Sequence, residues 1–260
     1  MSARLDIRPY AAEPGLMVWA HWGTSDRLTV CFSGIGANDD AVQPYEFADT
    51  ATNAGSDHAL FISDTTRSWF NLPGLIEQVA GIVERFAAAV GARIVGTLGH
   101  SMGGHMAMLL PAFTRVDTAV GFSPQVSVHP DVVGDDTRWM QYRDKITSFR
   151  FRNVMDHLVP ETRYIAMHGH HPRESYQCDR FEVRENMTHI IFPKVTHEVP
   201  QKLREQGNMR QVVWACFNGR NRRLRELLAP LNVSFRQPGE TPVMPPSALI
   251  AAEGASQRLS

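Results

Sequence analysis

Short β-branched or aromatic runs alternate along this chain with longer stretches whose apolar residues recur at helical spacing. That alternation points to a mainly parallel sheet flanked by helices, because parallel strands need a crossover between them and a helix supplies it. Segments 3–10 and 16–22 read as an opening pair of strands, antiparallel to each other, and 28–33 (Leu-Thr-Val-Cys-Phe-Ser) as a buried third. A loop rich in Gly, Asn and Asp separates that strand from the next, over 58–63. The apolar residues at 75, 76, 79, 82, 83, 86 and 90 predict a helix over Leu75–Val90. Further strands are expected at 93–98, 118–122, 163–167 and 189–192, which makes about eight. A helix is expected over 102–113, and one or two more over 200–228, broken near Gly207.

The 260 residues fit one large domain or two small ones, and are enough to bury a core without disulfides or a structural metal. We expect one folded unit over 1–235, a short lid-like insertion at about 125–161, and a flexible tail over 236–260, where Pro238, Pro242, Pro245 and Pro246 cluster. With 26 basic and 27 acidic residues the net charge is −1, so there is no chain-wide basic field for nucleic acid. Cys31, Cys178 and Cys216 are odd in number, far apart and free of a CxxC, which argues against a disulfide framework or zinc knuckle. The first residues lack the apolar core of a signal peptide, and no apolar run is long enough for a membrane span. A cytoplasmic protein is the expectation.

Gly99-His100-Ser101-Met102-Gly103 matches G-x-S-x-G, a pattern that chance alone places in about one chain in ten of this length. Context raises it: the apolar run at 93–98 leads directly into the pentapeptide and a helix-period segment leads directly out. A serine on such a turn needs neighbours without side chains at −2 and +2, and Gly99 and Gly103 supply them. The helix N-terminus at Ser101 offers free N–H groups where an oxyanion would form.

A nucleophilic serine also needs a base and an orienting acid, expected later in the chain, acid before base, each just after a strand. His197, in Lys194-Val-Thr-His-Glu-Val199, follows the last expected strand and is the candidate base. After the strand at 163–167 the carboxylates are Glu174 and Asp179. Asp179 is preferred: Tyr176, Cys178, Phe181 and Val183 surround it with an apolar neighbourhood, whereas Pro172 and Ser175 suggest a turn with Glu174 exposed.

Together these residues resemble the α/β-hydrolase superfamily over about residues 16–228, most specifically at 99–104 and more weakly at 196–199. The resemblance implies the α/β-hydrolase fold and an oxyanion segment at Ser33-Gly34-Ile35-Gly36, with serine where the family pattern has histidine. The N–H groups of Ile35 and Met102 would then be the two oxyanion donors. Gly34 and His100 would lie near the substrate pocket, and Trp69 would either line that pocket or anchor the core. Neither cofactor nor metal is implied. In the insertion, Arg138, Arg143, Lys145, Arg150 and Arg152 face a similar number of aspartates, which favours a solvated charged surface over an anion-recognising lid.

The expected activity is a serine hydrolase cleaving carboxylic esters or thioesters of a small molecule, glycan or lipid through an acyl-enzyme on Ser101, His197 and Asp179. An acyltransferase would use the same groups with an alcohol or amine replacing water. A non-catalytic binding protein of the same fold is a further alternative. A metal-dependent hydrolase built on His168-Gly-His-His171 is the least favoured, because the spacing lacks the further ligands that metal motifs carry.

Overall fold

The computed structural model describes residues 5–37, 42–134 and 136–240. In chain order the elements are β1 (Arg8–Glu13), β2 (Leu16–His21), β3 (Arg27–Phe32), α1 (Ala48–Ala51), β4 (His58–Asp64), α2 (Leu75–Val90), β5 (Ile94–His100), α3 (Met102–Leu109) and β6 (Thr118–Phe122). There follow α4 (Pro130–Val133), α5 (Met140–Arg143), β7 (Arg163–His170), α6 (Pro172–Cys178), β8 (Met187–Pro193), α7 (Val199–Glu205), α8 (Met209–Phe217), α9 (Asn221–Leu228) and β9 (Ser234–Arg236).

Among the described residues, nine strands form one sheet in the order β1-β2-β4-β3-β5-β6-β7-β8-β9. From β4 to β8 neighbouring strands run parallel; β1, β2 and β9 add antiparallel edges. The sheet is therefore mainly parallel and flanked by helices, as the alternation predicts. Side-chain alternation divides the central strands between two cores: Val30, Phe32, Leu60 and Ile62 join α2 and α3 on one face, while Cys31, Phe61, Leu98, Val120 and Ile190 join α1, α7, α8 and α9 on the other. Helix α2 buries Leu75, Ile76, Val79, Ile82, Val83 and Phe86. Each such side chain contributes about 1.5–3 kcal/mol over an exposed one.

Several expectations need correction. The opening strand lies over Arg8–Glu13 rather than 3–10, because the turn at Gly15 sets the hairpin register. Segment 200–228 holds three helices, interrupted at Gly207 and again at Gly219, where positive φ stops the helical path. Pro172 starts a helix rather than the turn that Pro172 and Ser175 suggest. β9 is a ninth strand, and its Arg236 belongs to the sheet rather than to a tail. The rest of the expected tail, from 241 onward, lies outside the described residues. No helix among the described residues is long and apolar enough to cross a membrane.

Candidate functional site

From β3 the sheet grows in opposite directions, toward β4 on one side and β5 on the other. Such a reversal opens a crevice at the carboxyl ends of the strands. Ser101 stands there, between the end of β5 and the first residue of α3, with φ 57° and ψ −118°. A non-glycine residue in this region costs about 1–3 kcal/mol, and the surroundings must hold it. They do so through the Ser101 N–H, which donates to the Phe122 carbonyl at 2.9 Å, and the Ser101 carbonyl, which accepts from His105 N–H at 3.0 Å. Both flanking glycines are required by space. A Cβ on Gly99 would collide with the Gly103 carbonyl, and one on Gly103 with the Phe32 carbonyl of β3.

His197 lies in the loop between β8 and α7. Its carbonyl accepts from Ser123 Oγ at 2.7 Å and lies 3.1 Å from His100 Nε2, so two side chains at the ends of β6 and β5 fix the loop. The loop crosses directly above Gly169 of β7, where a Cβ would collide with the Thr196 carbonyl. His100 also presents its ring to His197, centroids 4.6 Å apart. Burial and the neighbouring imidazole bring the His100 pKa down to about 3, so this ring is neutral and can donate from Nε2.

The carboxylate facing His197 is that of Glu174, not Asp179. His197 Nδ1 is 3.2 Å from each Glu174 oxygen. Pro172 at the start of α6, capped by the His171 side chain, begins a helix that turns Glu174 inward, 1% exposed. Asp179 sits at the C-terminal end of that helix, with Oδ1 buried and unpartnered, and burial raises its pKa. Burial would also raise the Glu174 carboxyl, but the hydrogen bond and charge of His197, with the charge of Arg138, outweigh it and bring the pKa down to about 2. The opposite nitrogen, His197 Nε2, is buried with no hydrogen-bond partner. Ser101 Oγ therefore makes no hydrogen bond to it, as is common before substrate binds.

Met102 opens α3, so its N–H has no carbonyl one turn back to donate to. Ile35 is half-buried after β3; its carbonyl accepts from Arg67 Nε at 3.0 Å. Gly34 N–H donates to Glu46 Oε1 at 3.0 Å, which fixes the loop one residue earlier. Trp69 does not line a pocket. It is fully enclosed in the core, where Nε1 donates to Gln125 Oε1.

Sequence reasoning missed Ser123 and Glu46, and read Arg138 as part of a solvated charged surface, whereas it pairs with two buried carboxylates. Ser123 follows β6 at the carboxyl edge of the sheet, and that position was its signal; the other two depend on loop paths that no local pattern announces. The run His168–His171 does not converge, since His168 points inward, His170 is exposed and His171 caps α6. His168, Cys178 and His189 do gather, their ligand atoms within 4.8 Å of one another. Their polarity opposes a metal, however. Arg236 Nη1 donates to His189 Nδ1 at 2.7 Å, which places the His189 proton on Nε2. That proton is given to His168 Nδ1 at 2.9 Å, and His168 Nε2–H donates to the Pro124 carbonyl at 3.0 Å. Burial keeps both rings neutral. A ligating imidazole would instead present its lone pair to the ion and donate its other N–H outward.

No protein-family model matches the sequence, and no curated protein does either. Among solved structures, the chain is similar to the capsule O-acetyltransferase of Neisseria meningitidis serogroup A, at 11% identity and a TM-score of 0.54, covering 78% of this chain and 94% of that one. It is also similar to Est1E from Butyrivibrio proteoclasticus, at 13% identity and a TM-score of 0.52, covering 80% of this chain and 97% of that one.

Proposed function

We propose, for a chain that has the α/β-hydrolase fold, that it is a serine hydrolase cleaving a carboxylic ester or thioester through an acyl-enzyme. The observation that carries the reading is His197, with Nδ1 on the Glu174 carboxylate and Nε2 unpartnered at the carboxyl edge of the sheet where Ser101 holds its strained turn. A carboxylate on Nδ1 leaves the lone pair on Nε2, where a base for Ser101 needs it.

Ser101 Oγ attacks the substrate carbonyl carbon as His197 Nε2 takes the hydroxyl proton. The tetrahedral oxyanion is held by the N–H groups of Met102 and Ile35. When the C–O or C–S bond breaks, the alcohol or thiol leaves with that proton, and the acyl group stays on Ser101. Water then attacks the acyl carbon, its proton passing to His197 and on to Ser101, which is released with the free acid. Glu174 holds the ring's orientation and stabilises the imidazolium formed in both halves.

The test is fluorophosphonate labelling of the full chain, followed by a panel of esters and thioesters with Ser101→Ala as the control. Labelling at Ser101 and turnover lost in the variant support the reading; an unlabelled Ser101 refutes it. Products formed only when an alcohol or amine accompanies the acyl donor would make the protein an acyltransferase on the same residues.

A further inference from the structure

The stretch between β6 and β7 reaches back to the candidate acid. Arg138 uses all three of its guanidinium nitrogens: Nε and Nη2 donate to the two oxygens of Asp136, each at 2.9 Å, and Nη1 donates to Glu174 Oε1 at 2.8 Å. Both carboxylates are buried, with side chains 2% exposed. Asp136 Oδ2 also accepts from Gln177 Nε2 at 3.0 Å, and Gln177 lies one turn beyond Glu174 on α6. Gln177 is fixed in turn by the N–H groups of Val126 and Ser127 and by the Ser127 carbonyl. The buried guanidinium of Arg143 holds the backbone, donating to the carbonyls of Asp136, Arg138 and Val128. Arg138 also lies over the Trp139 ring, 4.9 Å from its centroid, and that ring is 5.8 Å from the ring of His197.

We propose that Arg138 is a positioning residue for the Glu174–His197 pair, holding Glu174 Oε1 and tempering the negative charge that the carboxylate presents to the imidazole; this rests on the Ser101, His197 and Glu174 reading above. An arginine that forks onto one carboxylate and extends its third nitrogen to another fixes both in direction, which lysine cannot do. Glu174 thus divides its charge between a permanent cation on one side and the His197 ring on the other.

The other titratable groups around the pair come from several elements. His100 faces His197 from β5; His168 acts on Glu174 from β7 and Cys178 from α6; Asp136 sits behind Arg138. From α7 and its cap come Arg204, which acts on His100, and Glu198, the chain neighbour of His197. Among the described residues, Arg138 is the permanent cation in hydrogen-bond contact with Glu174. Its removal exposes the ring to the undivided charge of Glu174. The imidazole then holds its proton to higher pH, and the acidic limb of the rate profile moves upward.

The experiment measures the rate of fluorophosphonate labelling of the full chain from pH 5 to 9. Arg138→Gln is expected to move the acidic limb up by about one pH unit and lower the plateau about three- to tenfold. Arg138→Lys keeps the charge and is expected to leave the limb within about 0.3 units while losing part of the plateau. Asp136→Asn, which removes the charge behind Arg138, is expected to move the limb downward. These opposite signs separate an electrostatic role from a mere strut. A limb that stays in place in Arg138→Gln, or moves the same way in both Arg138→Gln and Asp136→Asn, overturns the proposal. A wild-type protein that never labels at Ser101 overturns the triad reading itself, a different signature from an unmoved limb.

Discussion

The Nδ1 atom of His197 is equidistant from the two carboxylate oxygens of Glu174, at 3.2 Å each. Loss of the negative charge there would let the ring take either tautomer. Glu174→Gln is therefore expected to lower kcat by about 10²–10⁴, whereas Asp179→Asn should cost less than about tenfold. Parallel kinetics on the two variants decide it, and a reversed order would return the acid role to Asp179.

Ser101→Ala should remove nearly all turnover while the protein stays folded, because the variant loses one oxygen from a turn whose backbone bonds to Phe122 and His105 remain. Turnover and circular dichroism measured on the same preparation check both halves. Near wild-type hydrolysis of the best ester would sink the covalent mechanism.

Gly103→Ala should lower stability by more than about 3 kcal/mol or prevent soluble expression, since the added methyl meets the Phe32 carbonyl and neither the helix nor the strand can step back. Urea unfolding of the variant gives the measurement. A loss under about 1 kcal/mol would mean that α3 and β3 are less tightly apposed than described.

His105, His168 and His189 are fully enclosed, and burial lowers the pKa of each, to about 4 for the first two. In the folded protein they stay neutral, while in the unfolded chain they take up protons near pH 6.5. Unfolding thus binds protons in this window, so stability falls as pH drops from about 6.5 toward 4. Near pH 5 the uptake on unfolding from these three rings should approach about three protons. Unfolding free energies at several pH values give that slope; an uptake under about one would contradict the enclosed neutral rings.

Where local pattern and tertiary packing agree, the sequence is sufficient. The apolar spacing from Leu75 to Val90 matches α2 to the residue, because a helix that lies on a sheet shows its buried face directly in its periodicity. The serine turn is equally legible, since Gly99 and Gly103 answer a local steric demand. Glu174 is not. Pro172 fits a turn and the first position of a helix equally well, and only the path of α6 after β7 separates the two. An apolar sequence neighbourhood identified Asp179 as buried, and half of that was correct: Oδ1 is enclosed, yet it has no hydrogen-bond partner, and Nδ1 of His197 lies against Glu174 instead. Contacts such as Arg138 with Glu174, 36 residues apart, leave no periodic trace.

The row from Arg236 through His189 and His168 to the Pro124 carbonyl has every donor pointing the same way. A permanent cation heads it and a carbonyl, which can only accept, ends it, so the direction cannot reverse while Arg236 stays in place. No proton can travel along it unless both rings turn over. It acts as a fixed ratchet of dipoles rather than a conduit. Its head is supplied by the last strand of the sheet, so that edge sets how two imidazoles beneath the carboxyl ends of the strands are wired.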